Sequence, residues 1–249
     1  MIGILRSNAT TPNDLFREVV RPRGEDNLKW LSRNIPAGDD LAHLVLIGGT
    51  SPTAFRLRVA QSHLRHDMLP SHWSHAMLLG PIAPNMAATP VYEISLEPPG
   101  GFGFPPPVNG VQQGQLGPYR KPQPYPNIAV LGISVSPEKV TEALQRFQTQ
   151  RPILDALELV LRWLAFVWGV MRPGNPLYDG QGIPSAAMLE MVFGAVEIDL
   201  TPGLESRASC PEAIWQAAKW WYEYYERENQ AGFTGAYHIG QRLGDESGK

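Results

Sequence analysis

The sequence predicts a single α+β domain, and three observations carry that expectation. Short apolar or alternating runs of strand length are interspersed with longer helical patterns along the chain. Helix starts are marked where a Ser or Cys stands before a proline, at Ser51–Pro52, Ser136–Pro137 and Cys210–Pro211. Finally, 249 residues with 43% hydrophobic content are enough to bury a substantial core.

Residues 1–37 read as an N-terminal extension with two helical hints, NDLFREVV and EDNLKWLSRN, divided by Pro and Gly. The main domain is expected to span 38–240. LAHLVLIGG, from Leu41, is an apolar run closed by Gly48 and Gly49, as a buried strand requires. Ser51 can cap a helix with Pro52 in its first turn, running to about Asp67. SHAMLLG from Ser74 and TPVYEISLE from Thr89 are two further strands. In the second, Tyr92, Ile94 and Leu96 alternate with Glu93, Ser95 and Glu97.

Nine prolines and six glycines fall between Pro98 and Asn127, a density that predicts a long irregular insertion, 98–127, placed as a flap over a site. NIAVLGISV from Asn127 is a strand, and helices are expected from Pro137 to about Thr149 and from Ile153 to Met171. RPGNPLYDGQGIPS is a turn-rich connector. AAMLEMVFGAVEI, from Ala186, fits either a helix or a helix followed by a strand. The last strong element is a Trp-rich helix starting near Pro211, and 241–249 form a flexible tail.

The formal charge of −3 and pI near 6.1 give no reason to expect nucleic acid or an anionic membrane as partner. One cysteine excludes an intramolecular disulfide and implies no oxidising compartment. The N-terminus lacks the basic and apolar regions of an export signal. The most apolar window, ILDALELVLRWLAFVWGVM, carries Asp155, Glu158 and Arg162, which suits a buried or amphipathic helix better than a bilayer span. A cytoplasmic protein without a transmembrane segment is the expectation.

The single thiol is the first candidate for chemistry. Cys210 stands directly before Pro211 at a helix start, where the helix dipole and unpaired N–H groups favour thiolate over thiol. A small buried residue filling a gap is the competing reading of a lone cysteine. A nucleophilic cysteine needs a base, and His75 opens the HAMLL strand at the mouth of the predicted sheet. Glu93 lies in the following strand and can approach His75 if the two pair antiparallel. His72 is the alternate base, and Asp199 the alternate orienting acid.

The order of these parts, GDDLAHLVLIGG, SHWSHAMLLG, VYEISLE and then SCPEAIWQA, resembles the circularly permuted papain-like hydrolases of the NlpC type. That group includes YiiX-like and lecithin:retinol acyltransferase branches. The resemblance covers Gly38 to about Trp221. It implies an antiparallel sheet packed on helices, with His75 as base, Glu93 as the polar residue orienting it and Cys210 as nucleophile. The acyltransferase branch carries Asn-Cys-Glu-His at its nucleophile, which ASCPEA lacks. The implied activity is hydrolysis of a peptide, isopeptide, amide or lipid-ester bond through an acyl-enzyme, with no cofactor and no metal. On this reading Cys210→Ala abolishes turnover.

Two other classes stand beside it. His63, His66, Asp67, His72 and His75 could form a metal-dependent phosphohydrolase site. A papain-like shell without catalysis, serving as an interaction module, is the other. The aromatic helix with Trp215, Trp220, Trp221, Tyr222, Tyr224 and Tyr225 then offers a protein-partner or dimer surface.

Overall fold

The computed structural model describes residues 16–38, 40–97, 108–151, 153–227 and 233–243. Its frame is a seven-stranded sheet in the order β1-β7-β6-β2-β3-β4-β5. The strands are β1 (Phe16–Glu18), β2 (Leu41–Gly48), β3 (His75–Leu79), β4 (Pro90–Glu93), β5 (Gln112–Gln115), β6 (Asn127–Ser134) and β7 (Phe233–Ile239). All neighbours pair antiparallel except β1 and β7, which pair parallel, so the sheet is mixed.

The central strands read as near-continuous apolar runs because both sheet faces are covered. Leu44 and Leu46 of β2, Ala76 and Leu78 of β3, and Ala129 and Leu131 of β6 share one core. Their alternating neighbours Val45, Ile47, Met77, Ile128 and Val130 share the other. On the second face lies α1 (Asn27–Asn34), capped by Asp26 and anchored by Trp30 and Leu31, both wholly buried. The first face carries α2 (Pro52–Ala60), α3 (Pro137–Thr149), α4 (Ala156–Trp168), α5 (Pro184–Gly194) and α6 (Pro211–Arg227).

The caps read from sequence are in place: Ser51 accepts from Ala54 N and Ser136 from Lys139 N. The helix at Pro52 ends at Ala60 rather than near Asp67, followed by a short 3-10 turn at Ser62–Leu64. The segment from Ala186 is resolved as helix, with α5 starting two residues earlier at Pro184.

Three departures matter. Residues read as an N-terminal extension supply α1 and the edge strand β1, and Phe16–Glu18 is strand where a helical hint was read. Asn13–Leu15 of that hint lie outside the described residues. The Pro/Gly-rich insertion is not irregular throughout. Residues 98–107 lie outside the described set, but β5 pairs with β4 along its whole length, and Gly117–Arg120 forms a 3-10 turn. The prolines flank β5 instead of interrupting it, which leaves its backbone free to pair. Finally, β7 had no counterpart in the sequence reading. It pairs with β6 and gives α6 a strand to pack on, where Trp215 meets Tyr237 at 4.9 Å. Of the expected tail, residues 244–249 lie outside the described residues.

Candidate functional site

His75 opens β3, so its ring stands at an end of the sheet where both helical layers can reach it. The β3–β4 register pairs Leu78 with Tyr92, and continuing it puts Glu93 across from Met77, diagonal to His75 on one face. From there the Glu93 carboxylate is hydrogen-bonded to His75 Nε2. The expected His75–Glu93 approach is therefore present, set by strand pairing.

Glu93 is 2% exposed, and a buried carboxylate must be paired or lose its charge. Its second donor comes from the Pro/Gly-rich segment: Tyr119 Oη donates to Glu93 Oε2 at 2.7 Å. Burial pushes the carboxyl up, but the hydrogen bond and charge of His75, together with the Tyr119 hydroxyl, hold it below its ordinary value. Glu93 is thus an anion at neutral pH. Burial, and then the charge of Glu93, push Tyr119 up, so the phenol stays a donor. The Tyr119 ring also lies nearly parallel to the imidazole, with centroids 6.5 Å apart.

The other imidazole nitrogen does not meet the cysteine. Nδ1 of His75 faces Ser185 Oγ at 3.3 Å. Ser185 lies in the first turn of α5, directly after Pro184, and is wholly buried. When the ring is neutral and gives Nε2–H to the anionic Glu93, Nδ1 carries the lone pair and can accept the serine proton. Serine, imidazole and carboxylate therefore stand in one line.

The start of α5 is held from two sides. Gly182 N donates to Arg207 O at 2.7 Å and Ile183 N to Ser209 O at 3.0 Å. Trp163 Nε1 on α4 donates to Gly182 O at 2.7 Å. A side chain at position 182 has no room, because its Cβ would sit 2.3 Å from Ser209 O.

Cys210 is not hydrogen-bonded to the imidazole, whose nitrogens meet Glu93 and Ser185. It does sit at the head of α6: its carbonyl accepts from Ile214 N, and the nearby N–H groups of Ala213 and Glu212 favour the thiolate. The residue is wholly buried, however, and burial outweighs those amides. The thiol is pushed up to about 12, with the Glu212 charge adding to the rise. Glu212 itself is anchored by Ser71 Oγ at 2.6 Å, and its N–H bonds Gln61 Oε1. Both nitrogens of His75 are taken by Glu93 and Ser185, so none is left to activate the thiol. In this arrangement Cys210 lies buried at the head of α6, away from the imidazole's two hydrogen bonds.

The alternates lie elsewhere. Burial and the charges of Arg65, Arg242 and Arg58 lower His72 to about 3, and its Nδ1 is buried without a hydrogen-bond partner among the described residues. Asp199 Oδ1 accepts from Thr201 N and sits beside Glu190, which Thr201 Oγ1 and Leu200 N also bond. It fastens the loop after α5.

For the metal reading, His63 bonds Ala60 O and packs on Tyr178, while Asp67 is paired with Arg65. Among the described residues no three His, Cys, Asp or Glu side chains are grouped to hold a metal ion. Among the described residues no helix is long and apolar enough to cross a membrane. On α6, Trp215 is buried between Phe16, Trp73 and Tyr237, whereas Trp220 is exposed. The side chains of Tyr224 and Tyr225 lie outside the described residues.

Sequence reasoning missed Ser185 and Tyr119. A signal for the first was present: GIPSAA combines a proline-opened helix, a first-turn hydroxyl and small residues that permit close packing on a strand. Tyr119 had none, since a tyrosine in a Pro/Gly-rich stretch carries no local mark of its partner. No protein-family model, curated protein or solved structure matches this chain.

Proposed function

We propose that the protein is an acyl hydrolase using Ser185 as nucleophile, His75 as general base and acid, and Glu93 as the orienting carboxylate. The observation that carries this is the His75 ring held between the Glu93 carboxylate and the Ser185 hydroxyl. The order of parts still supports a permuted papain-like arrangement, with histidine first, a polar residue on the next strand and the nucleophile on a later helix. In that arrangement serine takes the cysteine's role, on α5 instead of α6.

The chemistry follows from the contacts. Ser185 Oγ attacks the carbonyl carbon of an ester or amide as its proton passes to His75 Nδ1. Glu93 steadies the imidazolium through Nε2–H, and Tyr119 keeps Glu93 ionised. The oxyanion meets the first turn of α5. Pro184 has no N–H and Ala187 N bonds Ile183 O, so the N–H groups of Ser185 and Ala186 have no acceptor a turn back within the helix. The carbon–heteroatom bond breaks as His75 returns the proton to the leaving group. Water, deprotonated by His75, then attacks the acyl carbon, and the Ser185 ester bond breaks as His75 returns that proton to Oγ and the acid leaves.

Ser185 is fully buried, and that burial favours a second reading, a papain-like interaction module in which the same triad is only a structural network. Labelling by a fluorophosphonate probe separates the two. The hydrolase labels at Ser185, loses labelling in Ser185→Ala and His75→Ala, and keeps it in Cys210→Ala. A folded wild type that never labels and turns over no ester or amide supports the module instead.

A further inference from the structure

We propose that the cleft between the first turns of α3 and the ends of β2, β3 and β4 binds an organic ammonium ion with an apolar body. The cleft lies at the far end of β3 from His75, four residues and about 13 Å along the strand. It stands apart from the acyl-transfer reading and does not rest on it.

Strand register builds the floor. Leu44 pairs with Leu78 and Ile47 with His75, so the start of β2 lies beside the end of β3. The chain leaves β3 through Gly80, whose N–H bonds Pro90 O at the start of β4. Over these strand ends α3 opens at Pro137 and packs on β2. The cleft between them has a volume of about 540 Å³, the size of a small-molecule site. Ala42, Leu78, Leu79 and Val140 line it and are all buried, which makes the floor apolar. Ile82 at the edge is 44% exposed, and Tyr92 adds an aromatic wall. An apolar body seated here leaves water against groups that the fold has already ordered.

The charge of the lining has one sign. Glu138 and Glu142 of α3 border the cleft, and among the described residues no Lys or Arg lines it. Lys139 and Arg146, the basic residues of α3, lie about 140–160° round the helix from Thr141, which faces the cleft. Neither carboxylate is in an ion pair among the described residues, and Glu138 accepts from Ser136 Oγ at 2.5 Å. His43 also lines the cleft and adds no charge, because burial lowers it and its Nε2 is bonded to Pro36 O. Two free negative charges therefore stand over an apolar floor. An organic anion is repelled by both, and a neutral molecule gains only the burial. A bare metal ion lacks ligands, since no three His, Cys, Asp or Glu side chains are grouped among the described residues. An apolar ammonium ion uses the floor and both carboxylates, and the Tyr92 ring is a further attraction for a cation.

The test is calorimetric titration of the full chain with naphthylethylammonium, naphthylethanol and naphthylacetate, which share a ring system and differ in charge. The ammonium should bind tightest and the carboxylate weakest, with the gap narrowing as salt rises. Glu138→Gln and Glu142→Gln should each weaken the ammonium by about twofold to fivefold and leave the alcohol unchanged. Thr141→Trp, which fills the cleft from the helix side, should remove binding of both. Circular dichroism and melting temperature establish that each variant is folded. Absence of ammonium binding to the wild type at millimolar concentration overturns the proposal, as does equal affinity for ammonium and carboxylate. Undiminished ammonium binding in the double Gln variant overturns the assigned charges, and undiminished binding in folded Thr141→Trp overturns the assigned cleft. The readout is binding at a surface remote from Ser185, so each of these outcomes is independent of the labelling experiment.

Discussion

Replacing Glu93 by Gln removes one charge and leaves the shape of the site almost unchanged. The wild-type carboxylate accepts from His75 Nε2 and from Tyr119 Oη, both at Oε2. A Gln can keep only one oxygen, and the Tyr119 hydroxyl, a donor held buried, will claim it. The amide NH2 then faces His75 and bonds best to a ring nitrogen without a proton. The imidazole therefore changes tautomer, and Nδ1–H points at Ser185 where a lone pair is needed. Loss of the correct tautomer costs about 10⁴ in the acylation step in the analogous serine triad, which corresponds to about 5 kcal/mol of barrier. Stability should change far less, by about 1–2 kcal/mol, because neutral hydrogen bonds replace charged ones.

The assay is the pseudo-first-order rate of fluorophosphonate labelling at pH 8, with urea unfolding from pH 3 to 8 alongside. Glu93 has a lowered folded pKa, so the stability it contributes is present above the unfolded value and is lost as pH falls through the folded one. The stability gap between wild type and variant should accordingly narrow in acid. Labelling of Glu93→Gln within about threefold of wild type would refute the assignment of Glu93 as the residue that sets the tautomer.

Three other changes probe the same architecture. Cys210, with its thiol at about 12 and wholly buried, should react with iodoacetamide at pH 8 roughly a thousandfold more slowly in the folded protein than in urea; equal rates by mass spectrometry contradict its burial at the head of α6. Tyr119→Phe leaves the buried Glu93 short of a donor, so it should cost about 1.5–3 kcal/mol in urea unfolding. It should also move the acid limb of the labelling profile to higher pH. Glu190 is pushed up, first by burial, so its stability contribution is fully present below the unfolded carboxyl value and is lost as pH rises through the folded one. Glu190→Gln should flatten that part of the stability–pH curve, and an unchanged slope counts against the burial argument.

Much of the frame was legible because it is written in local chemistry. Pro52, Pro137 and Pro211 marked helix starts, since proline fits a first turn where no N–H partner exists. The alternation in VYEISLE put Glu93 on the opposite face from Tyr92, and antiparallel pairing with β3 brought it to His75. The edge strands were harder to read. β1 has three residues, β5 is glutamines and a glycine, and each is held by backbone bonds to a neighbour that sequence does not name.

The sequence by itself determined the α+β class, the central strands and the histidine–carboxylate pair, because periodicity and capping act over a few residues. Which side chain meets the second nitrogen of the His75 ring was decided by the tertiary structure alone. Cys210 has the local features of an activated thiol, a helix start and backbone donors, and burial overrides them. Ser185 has a modest local signature and gains its importance from a histidine 110 residues away. Desolvation and a shared imidazole are properties of the folded interior, set by α5 packing on β3 while α6 packs on β7.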